Sequence, residues 1–183
     1  YGEDSDFVKV RVRGVFPSAS AKQFINREDV DAAMNRDVGQ INYSRTVAIL
    51  GVDVAREGDD RSAIATKIGR DCTMPLKVFR GLDGPQLGMQ VLMYANELKA
   101  KGIPRVYINL DYTGVGASPY DWLKDKVQHL NKVISASQST NPQRWANKRA
   151  EMWDKMRDFI RDDGVIPKSE ELAEDLCIPE KLI

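Results

Sequence analysis

The 183 residues are 42% hydrophobic and 30% charged, a globular composition that excludes a disordered or fibrous chain and leaves room for one ordinary core. Lys plus Arg equals Asp plus Glu at 27 each, which excludes a uniformly basic wrapping protein but not a localised nucleic-acid surface. No apolar run reaches the roughly 18 residues of a membrane span, no signal-peptide series is present, and Cys72, Cys177 and His129 match no zinc spacing, so separate reduced thiols are expected.

Residues 7–16, FVKVRVRGVF, set Val8, Val10 and Val12 against Lys9, Arg11 and Arg13, a period of two that predicts a strand or extended arm. The opening YGEDSDFVKV reads like chain continuing from an upstream region. Asn26, with Asp29 three positions on, caps a short helix through about Met34. Residues 35–45 are polar and read as a link, so the expected division is an arm and short helix over 1–45 and a core domain over 46–183.

The core opens with TVAILGVD at 46–53. Six successive residues from Val47 to Val52 favour a central strand covered on both faces. A polar turn, Arg56-Glu57-Gly58-Asp59-Asp60, leads to a second strand over 62–68, and a third is expected near 76–79. The period then changes to that of a helix over 88–101, stopped by Gly102. Arg105 to Leu110 is the next apolar strand and ends at Asp111. Thr113-Gly114-Val115-Gly116 is a tight turn, after which Ser118 and Pro119 signal a helix start. A short strand is expected over 132–135. Asn141-Pro142 opens a long helix to about Asp162, with Trp145, Arg149, Met152, Met156, Phe159 and Ile160 on one broad face. The acidic tail, 167–183, offers no sure element.

Three strands, helix, strand, helix, strand, helix is the order of an α/β fold of ribonuclease-H-like type, three layers around a mixed central sheet. No glycine-rich phosphate loop follows the first strand, which disfavours a doubly wound nucleotide-binding fold.

Asp53 and Asp111 each follow a strongly apolar strand. Alone, each reads as a turn residue accepting backbone hydrogen bonds. If their strands are adjacent and parallel, both carboxylates emerge at one sheet edge, where α/β ligand sites lie. Like charges held that close repel unless protonated or bridged by a cation, and carboxylate oxygens suit Mg²⁺ or Mn²⁺. Gly114 and Gly116 serve a tight strand-to-helix turn near that edge, with phosphate binding the other reading. Lys148, Arg149 and Lys155 are candidate DNA-backbone contacts, but acids interleave them, so an ordinary solvated helix fits equally.

Taken together, YGEDSDFVKVRVRGVFP, ILGVDVAREGDDRSAIATKIG, DYTGVGASPYDWL and NPQRWANKRAEMW resemble the C-terminal nuclease domain of the tailed-phage terminase large subunit. The resemblance implies a metal-dependent endonuclease that cuts concatemeric double-stranded viral DNA in the host cytoplasm during genome packaging. It implies Asp53 and Asp111 as catalytic metal ligands for two Mg²⁺ or Mn²⁺ ions, with Asp59 and Asp60 as accessory acids. It also implies as partners an upstream ATPase domain, the small terminase subunit and the portal protein. The family's third aspartate, in a segment like SPDxADA, has no counterpart before Ile183, and ELAEDL around Asp175 lacks its flanks. The domain is therefore expected to be C-terminally incomplete, and a DNA- or portal-docking module without independent catalysis stands as the alternative. A relative that resolves branched DNA is a third reading.

Overall fold

The computed structural model describes residues 23–55 and 61–180. The alternating arm at 7–16 and the acidic turn with Glu57, Asp59 and Asp60 lie outside the described residues. The elements in chain order are α1 (Arg27–Asn35), β1 (Val47–Asp53), β2 (Arg61–Ile68), β3 (Lys77–Arg80) and α2 (Gly84–Ala100). Then follow β4 (Arg105–Asp111), α3 (Ala117–Leu123), β5 (Leu130–Val133), α4 (Lys148–Asp162) and α5 (Glu170–Cys177).

The five strands form one sheet in the order β3-β2-β1-β4-β5. β1, β2 and β3 pair antiparallel, whereas β1–β4 and β4–β5 are parallel. This is the mixed α/β sheet expected from the element order, with the longest apolar run at its centre. Ala48, Leu50 and Val52 of β1, Ile64 and Ile68 of β2, and Val106, Ile108 and Leu110 of β4 point to one face. There they form the main core with Leu87, Val91, Leu98 and Leu123. α2 and α3 approach closely because Gly84 and Gly88 have no side chains: a Cβ on Gly84 would lie 2.0 Å from Ser118 Oγ, and one on Gly88 2.7 Å from the Trp122 ring.

The opposite face departs from the expectation of a strand covered on both sides. Ile49 is half-buried while Gly51 and Asp53 are exposed. α4 starts near the carboxyl end of β5, where Arg149 N donates to the Ser135 carbonyl at 2.9 Å. It ends near the far end of β2, where Cys72 N donates to the Val165 carbonyl at 2.8 Å. Its 15 residues, about 22 Å at 1.5 Å per residue, pack chiefly against α1, which in turn packs against α5. In that second core Ile25, Val30, Ala33, Ile160, Ile166, Ala173 and Leu176 are buried.

Asn26 caps α1 as expected, accepting from Asp29 N at 2.7 Å. Other ends differ from the sequence reading. α2 starts four residues before 88, because Asp83 and Gln86 form a reciprocal capping box with Pro85 in the first turn. α3 starts at Ala117, out of a 3₁₀ turn over Gly114–Gly116, rather than after a Ser118 cap. α4 starts at Lys148, capped by Asn147, whose side chain accepts from Ala150 N at 2.9 Å. Asn141-Pro142 instead makes a turn, with Arg144 N and Trp145 N both 3.0 Å from the Asn141 carbonyl. The acidic tail forms α5, capped by Ser169. Gln23 and Glu180 pair in a β-bridge, and Phe24 N donates to the Pro179 carbonyl at 2.7 Å, so the two ends of the described chain meet.

Candidate metal edge of the sheet

The β1–β4 register runs without a break from Val47 opposite Arg105 to Val52 opposite Leu110. Asp53 and Asp111 are the next residues on these adjacent parallel strands, and continuation of the register would bring them side by side at the usual strand spacing of about 4.8 Å. Both project from the open face, since Val52 and Leu110 point into the main core. Asp53 is exposed and Asp111 half-buried. Asp111 Oδ1 accepts from Thr113 N at 2.9 Å, and its other oxygen has no partner among the described residues. No ion pair engages either carboxylate among the described residues, so the edge concentrates negative charge.

The turn after Asp111 is held tightly. Gly114 adopts φ +64°, where a side chain is strained. Gly116 has an ordinary φ of −64°, but a Cβ there would lie 1.8 Å from the Asp111 carbonyl oxygen. The two glycines thus act differently: one shapes the backbone, and the other lets the turn close onto the acid-bearing strand.

Two carboxylates on one edge fit a hard divalent cation as part of a donor set. Among the described residues no group of three His, Cys, Asp or Glu side chains is placed to hold a metal ion. Asp83, beside a cavity of about 490 Å³ at this edge, is engaged in capping α2. Asp175 sits on α5, the helix that packs into the second core.

The candidate DNA contacts on α4 are divided by an arrangement the sequence did not disclose. Glu151 is fully buried, and its carboxylate accepts from Thr140 N and Thr140 Oγ1, both at 2.9 Å, and pairs with Lys148 and Lys155. Asp154, also buried, accepts from the Trp145 indole N–H at 2.9 Å and pairs with Arg144 and Arg157. These acids fold the 139–145 loop back onto the helix. Lys148 and Lys155 are committed to that lock, whereas Arg149 is exposed with no ion pair among the described residues. Lys155, then the Thr140 N–H, holds Glu151 well below the usual carboxylate range. Burial works against ionised Asp154, but Trp145, Arg157 and Arg144 outweigh it and lower that carboxyl too.

A depressed folded pKa gives stability that is present above the unfolded value and lost as pH falls toward the folded one. We therefore expect the urea midpoint of the native protein to fall below about pH 5, as unfolded carboxylates begin to protonate. Glu151→Gln should have a lower midpoint at pH 7, with the gap narrowing toward pH 3. A gap independent of pH would remove Glu151 from this account.

Neither a family model nor a curated protein sequence matches the chain. Solved structures do. The nuclease domain of the large terminase subunit gp2 of bacterial virus Sf6 superposes with a TM-score of 0.59 at 18% identity, over 88% of this chain and 84% of that one. The large terminase nuclease from thermophilic phage G20c, crystallised with bound magnesium, gives 0.59 at 10% identity, over 88% and 81%. A mutant Sf6 gp2 nuclease domain with manganese and beta-thujaplicinol gives 0.58 at 17% identity, over 88% and 84%. With its mixed sheet, its strand order and these superpositions, the chain has the ribonuclease-H-like fold of the terminase large-subunit nuclease domains.

Proposed function

We propose that this chain is the nuclease-fold module of a phage terminase large subunit, holding double-stranded DNA at the Asp53–Asp111 edge and depending on a further carboxylate for cleavage. The observation that carries the reading is the unbroken parallel register of β1 and β4 up to Val52 and Leu110, after which Asp53 and Asp111 are the next residues on the two strands. Asp53 and Asp111 would hold Mg²⁺ or Mn²⁺, and the solved relatives with bound magnesium or manganese support that choice. When bound, the metal supplies charge stabilisation and an activated water for phosphodiester hydrolysis. The chain's own part is to present two hard oxygens from a rigid edge and to keep that edge open to a duplex.

The domain's setting follows from the same reading: an arm and short helix over 1–45 leading from an ATPase domain, with the small terminase subunit and the portal as partners, in the host cytoplasm during assembly. No described helix is long and apolar enough to cross a membrane. Asp59 and Asp60 are the accessory acids of this proposal. Arg149 is its best-placed α4 contact to the DNA backbone, because Lys148 and Lys155 are drawn into the Glu151 lock.

A second reading, an endonuclease complete in itself, is favoured by the open acidic edge. Plasmid DNA and a labelled duplex separate the two. We expect duplex binding, with Mn²⁺-dependent nicking weak or absent and no nicking in EDTA. Vigorous Mn²⁺-dependent cleavage would establish the second reading, and absence of both binding and cleavage would sink both.

A further inference from the structure

One row below the acids, the same face carries Ala65, Gly51, Asn109 and Asn131 side by side on β2, β1, β4 and β5. Glycine and asparagine are among the residues least suited to strands, yet three of them occupy neighbouring positions, on the two inner strands β1 and β4 and the edge strand β5. Glycine inside a strand usually marks a bulge, a close protein contact or the approach of a ligand. The register through Gly51 is unbroken on both sides, so there is no bulge. Gly51 is absent from the glycines with positive φ, so its backbone does not require glycine. A Cβ built on it meets nothing within 4 Å among the described residues, so packing against them does not require glycine either. Approach of a ligand suits an exposed position on the same face as the two acids.

The asparagines complete the row. Asn131 Nδ2 donates to Asn109 Oδ1 at 2.9 Å. That bond occupies the Asn109 oxygen and turns its own amide nitrogen away from Asn131, and among the described residues this nitrogen has no partner. A neutral donor is what an acidic edge lacks: carboxylates bridge to a phosphate only through a cation, whereas an amide N–H bonds the phosphate oxygen directly. Two residues along a strand span about 6.7 Å, so one backbone segment of DNA can meet both rows.

We propose that Gly51, Asn109 and Asn131 form a neutral cradle for the DNA phosphate next to the one held at Asp53 and Asp111. Gly51 leaves the space, Asn109 donates through Nδ2, and Asn131 is a positioning residue that orients Asn109. This deepens the proposed function and rests on it.

The test uses Gly51→Val, Asn109→Val and Asn131→Ala, with melting temperature and duplex affinity by fluorescence anisotropy in Ca²⁺ as readouts. Valine suits a strand better than glycine or asparagine, so a row kept for the ligand predicts unchanged or higher melting temperatures for the two valine variants. Their DNA affinity should fall about tenfold, the order expected for losing a charge-assisted hydrogen bond or its space. Asn131→Ala should cost less, and Asn131→Ala combined with Asn109→Val should be no worse than Asn109→Val alone. Wild-type affinity in the valine variants would overturn the cradle while leaving the DNA-holding edge intact. Unfolding of Gly51→Val would overturn it by showing a structural need for glycine. A wild-type chain that binds no duplex would overturn the cradle and the proposed function together.

Discussion

Asp53→Asn is expected to melt at a higher temperature than the native protein in metal-free buffer and to lose its response to Mn²⁺. Two carboxylates on adjacent strands, with no ion pair on either among the described residues, repel each other. Neutralising one relieves that repulsion while preserving shape. A cation reverses the order, because it binds the folded edge and stabilises it by RT ln(1 + [L]/Kd), about 1.4 kcal/mol at tenfold saturation. The native protein should therefore gain stability through a Mn²⁺ titration and overtake the variant, whose curve stays flat. Asp111→Asn should behave likewise, with a smaller metal-free gain because Asp111 also accepts from Thr113 N. Any Mn²⁺-supported nicking should fall below detection in both variants. Parallel Mn²⁺ responses in native protein and variants would remove these two residues from metal binding.

Gly116→Ala should be the most destabilising single methyl in the molecule's acidic edge. The added Cβ would lie 1.8 Å from the Asp111 carbonyl oxygen, a backbone atom in a paired strand that cannot swing aside as a side chain does. The turn must move instead, and α3 with it. A cost of about 3 kcal/mol or more follows from overpacking against backbone, which is a drop of about 10 °C for a domain of this size. Gly114→Ala provides the contrast. Its methyl meets nothing within 4 Å, so only the φ of +64° resists it, and a loss of about 1 kcal/mol is expected. Thermal melts of the two variants give the comparison, and equal losses would refute the distinction. Because displacement of the turn drags the Asp111 backbone, Gly116→Ala should also blunt the Mn²⁺ response, whereas Gly114→Ala should leave most of it.

The parts of the fold legible in the sequence were those whose cause is local. The apolar runs at 47–52 and 105–110 made β1 and β4 plain, and Asn26 with Asp29 marked the start of α1. The start of α2 is also written locally, as Asp83-Gly84-Pro85-Gln86, but that signal precedes the apolar stripe from which the helix is read. Ser169, Glu170 and Glu171 gave a similar unread start for α5. The start of α4 was ambiguous for a deeper reason. Asn141 and Asn147 are both good caps, and the choice between them depends on Glu151 and Asp154. Those acids alternate with basic residues as on a solvated face, yet they are buried against a loop that precedes them. The acid pair was visible because each member ends a strand. The Gly51–Asn109–Asn131 row was not, because its members come from three strands and meet only through the register.

The bridge between Gln23 and Glu180 has a mechanical consequence. A load that enters the described body at one of these residues and leaves at the other passes through a single pair of backbone contacts at one corner. It does not run along β1 or β4, whose ladder lies beyond that corner in the chain path. Tension on this corner would load the Phe24–Pro179 hydrogen bond first, with the Arg27–Glu170 pair and the α1–α5 packing behind it. The strands carrying Asp53 and Asp111 lie outside that path, so tension between residues 23 and 180 meets the second core before it reaches the β1–β4 register.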